Sequence, residues 1–271
     1  MSQCYKFKEI TSKYGIFDKG VDATYILTMK KNGNYKNIEK QLRFTKPTKK
    51  ILLVINESFK TCSKQLKKNT STYDIVHSYI EIFKNAKKMN FQNILILEDD
   101  FIFEKEISFL KNTTHINNFC IENKKKDFIL SLGSIPYIIL PKNEFFYKAL
   151  ISTGSHSMIY SRSFIEKTLQ KNMTNIEDWD YYTNTTLNRY IYYIPLCTQV
   201  FNETENQKNW NSFFGLKRFA LFLFKLNNLD KTPQPGFDNF YFYSKIISII
   251  LFIICMYIIY KIIKTIKNLF Y

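Results

Sequence analysis

A chain of 271 residues, 45% hydrophobic and 17% aromatic, is long enough to bury one large core or two small ones, and seven glycines with six prolines exclude a collagenous or low-complexity class. The formal charge of +16 points towards nucleic acid, yet only Arg43, Arg162, Arg189 and Arg218 among 39 basic residues are arginine, the side chain that bidentate base readout favours. The lysines are scattered among Asn, Ile, Tyr and Phe, a mixture that AT-rich coding DNA produces, so no specific nucleic-acid partner is expected.

Cys4, Cys62, Cys120, Cys197 and Cys255 are odd in number and widely spaced, without metal or disulfide spacing, which predicts free thiols in a reducing compartment. The opening MSQCYKFKEITSKYG has no apolar run, so no cleaved secretory signal is expected. Residues 23 to 30, ATYILTMK, read as a strand, and NYKNIEKQLRF as a short helix through the spacing of Ile38 and Leu42. A second strand is predicted over 49 to 59. In STYDIVHSYIEIFKNAKKMNF, Ile75, Tyr79, Ile82, Phe83 and Ala86 share one helical face, and Ser71 with Asp74 resembles a capping box. NILILEDD is the next strand. Alternating strands and helices predict an α/β fold with a mainly parallel sheet.

DFILSLGS, residues 127 to 134, reads as a further strand whose Gly133 marks a close backbone approach to a ligand. STGSHSMIYSRSFIEKTLQ has strand character through Tyr160 and a helix from Ser163. Residues 213 to 240 read as a linker, with RFALFLFKL as a membrane-surface helix followed by a Pro/Gly segment, TPQPGFDN. From Ile246 to Tyr260 there is no charge. Fifteen helical residues reach only about 22 Å against about 30 Å of hydrocarbon, so the span takes in its flanks, 241 to 263. Tyr241 to Tyr243 form an aromatic belt, Lys245 and Lys261 snorkel outward, and 264 to 271 is a short basic tail. A buried core helix is the alternative. The predicted organisation is a domain over 1 to 212 held in the cytosol by a single C-terminal membrane anchor.

Glu98, Asp99 and Asp100 close the most apolar strand of the chain, where open α/β sheets gather their ligands. Two carboxylates about 4 Å apart repel by about 4 kcal/mol even at an effective dielectric of 20, so they require a proton, an arginine or a metal. In an extended chain Glu98 and Asp100 point one way and Asp99 the other. Such a pair suits a hard divalent cation holding diphosphate oxygens, or salt bridges to lysines.

The order of motifs resembles the glycosyltransferases of family 25, the lipopolysaccharide and collagen galactosyltransferase type. VDATYILTMKKN resembles their opening strand, ILILEDDFIF their Leu-Glu-Asp-Asp metal block, DFILSLGS their Trp-Asp-hydrophobic-Leu-Gly strand, and TGSHSMIYSRSFIEKTL their Gly-Thr-His block. IEDWDYY and YIPLCTQVFNETENQKNW resemble later blocks, so the likeness runs from about Thr24 to Trp210. It departs at Thr28, Met29 and Ser155.

The resemblance implies a GT-A fold, a UDP-sugar donor, and Mn(II) or Mg(II) held by Glu98 and Asp100, with His156 as a third ligand or an orienting group. Tyr25, Leu27, Asn56, Asp99 and Gly133 would contact the donor. Inverting transfer to a glycan or protein hydroxyl requires a carboxylate base, for which Asp178 and Asp180 are the candidates, with Trp179 and Tyr181 as sugar-stacking surfaces. Gln199 and Asn206 would line the site, and Arg162 would contact phosphate or cap its helix. Against each stands a structural role: helix-dipole acids for 177 to 180, a satisfied core histidine for His156. A large DNA virus glycosylating its own virion proteins suits the composition. Two rival classes are a metal-dependent phosphoesterase and a non-catalytic anchored protein on the same scaffold.

Overall fold

The computed structural model describes residues 4–171, 176–201 and 216–270. Nine strands form one sheet: β1 (Tyr5–Thr11), β2 (Ala23–Met29), β3 (Lys50–Asn56), β4 (Asn93–Glu98), β6 (Ile129–Ser131), β7 (Ile135–Pro141), β8 (Phe146–Thr153), β9 (Ser157–Ser161) and β10 (Arg189–Tyr192). Their order across the sheet is β1-β3-β2-β4-β9-β6-β10-β8-β7. A separate pair joins β5 (Phe101–Phe103) to β11 (Cys197–Gln199). The sheet expected to be mainly parallel is parallel in β3–β2–β4 and again between β6 and β10; the other pairings are antiparallel, so it is mixed. The antiparallel share comes largely from β9, which runs opposite to both its neighbours β4 and β6, and from the β7–β8 hairpin at the edge, whose four-residue turn is too short for a parallel crossover.

Alternation along the central strands divides the core into two layers. Leu95 and Leu97 of β4 face a cluster with Ile38 and Leu42 of α1 (Tyr35–Phe44) and with Ile116 and Phe119 of α3 (Leu110–Glu122). Ile94 and Ile96 face Val76, Tyr79, Ile80 and Phe83 of α2 (Ser71–Lys88), with Phe164 of α4 (Arg162–Gln170) and Trp179 of α5 (Trp179–Asn184). Because both faces are covered, β4 reads as a continuous apolar run. Thr70, not Ser71, caps α2, its hydroxyl accepting from the Tyr73 N–H at 3.5 Å.

Cys4 and Cys62 are joined in a disulfide, with their Cα atoms 5.8 Å apart, which corrects the expectation that all five cysteines are free thiols. Spacing along the chain misses this pair because β1 pairs antiparallel with β3 and brings the N-terminus back to the loop that follows β3. Closing a loop of 58 residues stabilises the fold by about 4 kcal/mol in the chain-entropy account. Reduction, or Cys62→Ser, is therefore expected to lower the unfolding free energy by that amount and the urea midpoint in proportion; an unchanged midpoint would mean that the bridge does not form.

The segment read as a linker packs on the sheet. Phe224 of α6 (Leu216–Leu226), Leu229, and Phe237 and Phe240 of α7 (Gly236–Phe270) form a buried cluster with Ile135 of β7. The stretch Gly236–Ile266 is long and apolar enough to cross a membrane, its most apolar 18-residue window having a mean hydropathy of 2.7.

Candidate functional site

A cleft of about 400 Å³ opens where β2 and β4 end and α2 and α5 begin. Glu98, Asp99, Asp100, Asp178, Asp180, Leu27, Asn56, Trp179 and Gln199 line it, so the structure brings together most of the residues singled out from sequence.

Each acid at the end of β4 has a different environment. Glu98 accepts hydrogen bonds from the Tyr79 hydroxyl at 2.9 Å and the Ser155 hydroxyl at 3.3 Å. Burial, with the Asp100 charge added to it, raises its pKa to about 8. Asp100 is likewise pushed up, to about 7, by burial and by the neighbouring Asp99 charge. With its amide oriented as its surroundings require, Gln199 donates to both Asp100 oxygens at 3.2 and 3.3 Å. Asp99 is occupied otherwise: it accepts from the Thr28 hydroxyl at 2.5 Å and the Asn34 N–H at 3.0 Å, and so ties the loop before α1 to β4.

Across the cleft, Asp178 caps α5 by accepting from the Tyr181 N–H at 2.8 Å. Asp180 accepts from the Gly154 N–H at 2.9 Å through Oδ2, while its Oδ1 is buried with no hydrogen-bond partner among the described residues. Burial and the Asp178 charge raise its pKa, and the Arg189 guanidinium opposes that rise. Arg189 is itself fully buried, and its Nη1 donates to Asn184 Oδ1 at 2.7 Å.

Several expected contacts are corrected. Tyr25 points away from the cleft into the α2 core, where its hydroxyl donates to Asn85 Oδ1 at 2.7 Å, because it sits two residues before Leu27 on the same face, further from the strand end that opens on the cleft. Gly133 approaches no ligand: a Cβ there would lie 1.5 Å from the carbonyl oxygen of Cys197, so the close approach is to the chain itself. His156 is buried outside the cleft lining, its Nε2 donating to the Cys197 carbonyl at 3.0 Å. Burial lowers its pKa to about 4, which keeps the ring neutral, with Nε2 committed to that hydrogen bond and Nδ1 buried without a partner among the described residues. Trp179 stacks on Tyr79 at 4.5 Å and donates to the Tyr160 hydroxyl at 2.9 Å, so its faces serve the core and not a sugar. Tyr181 is 74% exposed and lies outside the cleft lining. Arg162 opens α4, pairs with Glu166 at 2.8 Å and with Asn90, and reaches no part of the cleft. Asn206 lies outside the described residues.

Sequence reasoning missed Tyr79, Ser155 and Arg189, and also the buried pair Lys64–Asp74, whose lysine also donates to Asn56 on the cleft wall. A signal for Arg189 existed: it is one of only four arginines in a lysine-rich chain. Among the described residues no group of three or more His, Cys, Asp or Glu side chains is placed to hold a metal ion. Glu98 and Asp100 nevertheless fit a cation that brings other ligands, since no basic side chain among the described residues hydrogen-bonds either carboxylate and burial leaves both needing a proton or a positive charge. Magnesium is commonly held by one or two carboxylates together with substrate phosphates and water.

Fold and site together define a mixed α/β protein with an acidic cleft at the carboxyl ends of its parallel strands and one C-terminal helix long and apolar enough to span a membrane. No family model matches the chain, and no curated protein matches it. Among solved structures it is similar to A197 from STIV, at 13% identity over 68% of this chain and 87% of that one, with a TM-score of 0.40. A match at that score defines neither the fold nor the activity of this chain.

Proposed function

We propose that the cleft is the active site of a metal-dependent inverting glycosyltransferase of GT-A type that moves a hexose from a UDP-sugar to a hydroxyl of a glycan or protein. The observation that carries this reading is the facing arrangement of Glu98 and Asp100 with Asp180: acids at a strand end suited to a diphosphate-bound cation, opposite a buried carboxylate whose Oδ1 has no hydrogen-bond partner among the described residues. Glu98 and Asp100 would hold Mn(II) or Mg(II), which when bound offsets the charge that develops on the departing diphosphate. Asp180, held by the Gly154 N–H and in the field of the buried Arg189 charge, would take the proton of the acceptor hydroxyl. Leu27 and Asn56 offer an apolar and an amide surface to the nucleotide.

The test is UDP release by the full chain over a panel of nucleotide sugars, with manganese and then with EDTA. Release from one donor that EDTA abolishes supports transfer and names the sugar. Donor binding without release favours the non-catalytic scaffold, and cleavage of phosphoesters without sugar nucleotides favours the phosphoesterase.

The raised acids give a second test. Because the folded pKa values of Glu98 and Asp100 lie above their ordinary ones, the native state binds more protons than the unfolded chain between about pH 4 and pH 8. Their contribution to stability is therefore fully present at the acid end of that window and is lost as pH rises through 7 and 8. Melting temperature without a divalent ion should fall across it, and manganese should restore the loss at pH 8.5 but not at pH 5.5. A manganese effect that is equal at both values would remove these carboxylates from the metal assignment.

The Cys4–Cys62 bridge supports a domain facing an oxidising compartment rather than the reducing, cytosolic side expected from the cysteine count and the C-terminal anchor. Asn69 is exposed and begins the sequon Asn69-Thr70-Ser71. Expression in cells with a secretory pathway should add a glycan there that Asn69→Gln removes; a chain protected from the glycan yet open to cytosolic protease would place the domain on the other side.

A further inference from the structure

The membrane helix does not begin where the domain ends. Phe237, Phe240, Tyr241 and Ser244 of α7 are buried, and the Ser248 hydroxyl accepts from the Ile139 N–H at 2.9 Å. Phe237 and Phe240 cluster with Ile135, whereas Tyr241 clusters with Ile139, so α7 runs in the same direction as β7. From Ile249 to Ile266 every residue is exposed. Those 18 residues span about 27 Å, close to the about 30 Å of a hydrocarbon core.

Continuing in that direction, β7 ends in the turn Lys142 to Phe145 that leads to β8. Phe145 stacks on His115 of α3 at 3.6 Å, and the Lys111 ammonium lies 5.4 Å from its ring. Around this turn are three large apolar side chains that the fold leaves open: Leu110 at 81%, Phe109 at 52% and Leu140 at 42% exposure. Beside them stand Lys111, Lys142 and, on α7 over the Tyr147 ring, Lys245; Glu144 is the one acid in the turn.

We propose that this face, the β7–β8 turn with the start of α3, rests on the surface of the bilayer that α7 enters, with Phe109, Leu110 and Leu140 in the interface and the lysines at anionic headgroups. Continuity with the membrane helix selects lipid as the occupant. Apolar tips ringed by lysine, standing where the helix leaves the fold, match an interface in which one end is greasy and the other wet. The cleft lies at the other end of β7: Phe237 packs against the His156 ring and against Phe201, which lines the cleft. Eleven residues of helix separate Phe237 from Ser248, about 17 Å. The site is thus held clear of the membrane, and, resting on the transferase reading, its acceptor is a group that projects into solvent and not a hydroxyl at the lipid surface.

The test reads depth and not activity, so it stands whatever the cleft does. In a Cys255→Ser background, Leu110→Cys, Asn143→Cys and Asn69→Cys are each labelled with an environment-sensitive dye on the full chain in phosphatidylcholine/phosphatidylserine vesicles. Asn69 precedes Ser71 and Thr72 of the cleft wall. Headgroup spin-labelled lipid is expected to remove most of the emission at 110 and 143 and none at 69. Undiminished emission at both 110 and 143, or equal quenching at all three, overturns the proposal. So does protection of 110 and 143 that persists in lipid-free detergent and depends on protein concentration, which would assign the face to a second copy of the chain. Two reporters on different elements keep the result readable if one substitution disturbs the fold.

Discussion

Asp180→Asn is expected to lower sugar transfer by about 10²- to 10⁴-fold while leaving UDP-sugar and manganese binding close to those of the parent. The amide preserves the shape and can still accept from the Gly154 N–H, but it cannot take a proton from an acceptor hydroxyl. A carboxylate whose pKa burial raises is a stronger base than an exposed one, and the Arg189 charge opposes part of that rise. Asp178→Asn should behave differently. Its carboxylate is spent on the Tyr181 N–H at the start of α5, and asparagine caps a helix about as well, so little change in either stability or rate is expected. Calorimetry of donor binding beside UDP-release rates separates the two. If the Asp178 variant were the inactive one and the Asp180 variant active, the base would have been assigned to the wrong carboxylate.

Gly133→Ala should be the most destabilising small substitution in the chain, costing upward of about 4 kcal/mol. The added methyl would sit 1.5 Å from the Cys197 carbonyl oxygen and 2.6 Å from its carbon, and both are backbone, so no side chain can swing aside. Separating the strands there would also strain the Leu196 N–H bond to Leu132 O, 2.6 Å, and the His156 bond to the same Cys197 carbonyl. Gly154→Ala is the measure of scale: its backbone has φ +89, which costs an L-residue about 1 to 2 kcal/mol, and its nearest neighbour atom is 3.4 Å away. Urea midpoints of the two variants should rank in that order. A folded Gly133→Ala protein with the parent midpoint would show that β6 and β11 are not in contact at that point.

What the amino-acid sequence discloses follows from where each partner lies. The period of α2 and the apolar runs of β2, β3 and β4 are local, so they are legible, and the acids that end β4 come with them. The edge strand β1, YKFKEIT, is not, since its mostly solvent-open pattern has meaning only beside β3, 45 residues further on. Nor is α3, whose LKNTTHINNFCIE spends Asn112 and Asn117, with the following Asn123, on backbone carbonyls inside the fold and so reads as a polar loop. In the cleft, residue types at strand ends pointed to Glu98 and Asp100, but the distinction between Asp178 and Asp180 depends on a backbone N–H at Gly154 and a charge at Arg189. Tyr25 and Leu27 stand two apart on one strand and share a face, yet only the one nearer the strand end reaches the cleft. The Cys4–Cys62 bridge is likewise invisible, because a separation of 58 residues says nothing about a Cα distance of 5.8 Å.

The burial of the first turns of α7 has a practical side for anyone preparing a soluble form. Cutting at the apparent end of the domain, before residue 236, would strip Phe237 and Phe240 from Ile135 and Phe224 and leave an apolar scar beside His156. Such a fragment should aggregate. One that ends just after Ser248 keeps the whole packed stripe and discards only the exposed apolar turns, so the working boundary between folded domain and apolar span runs through the middle of a single helix.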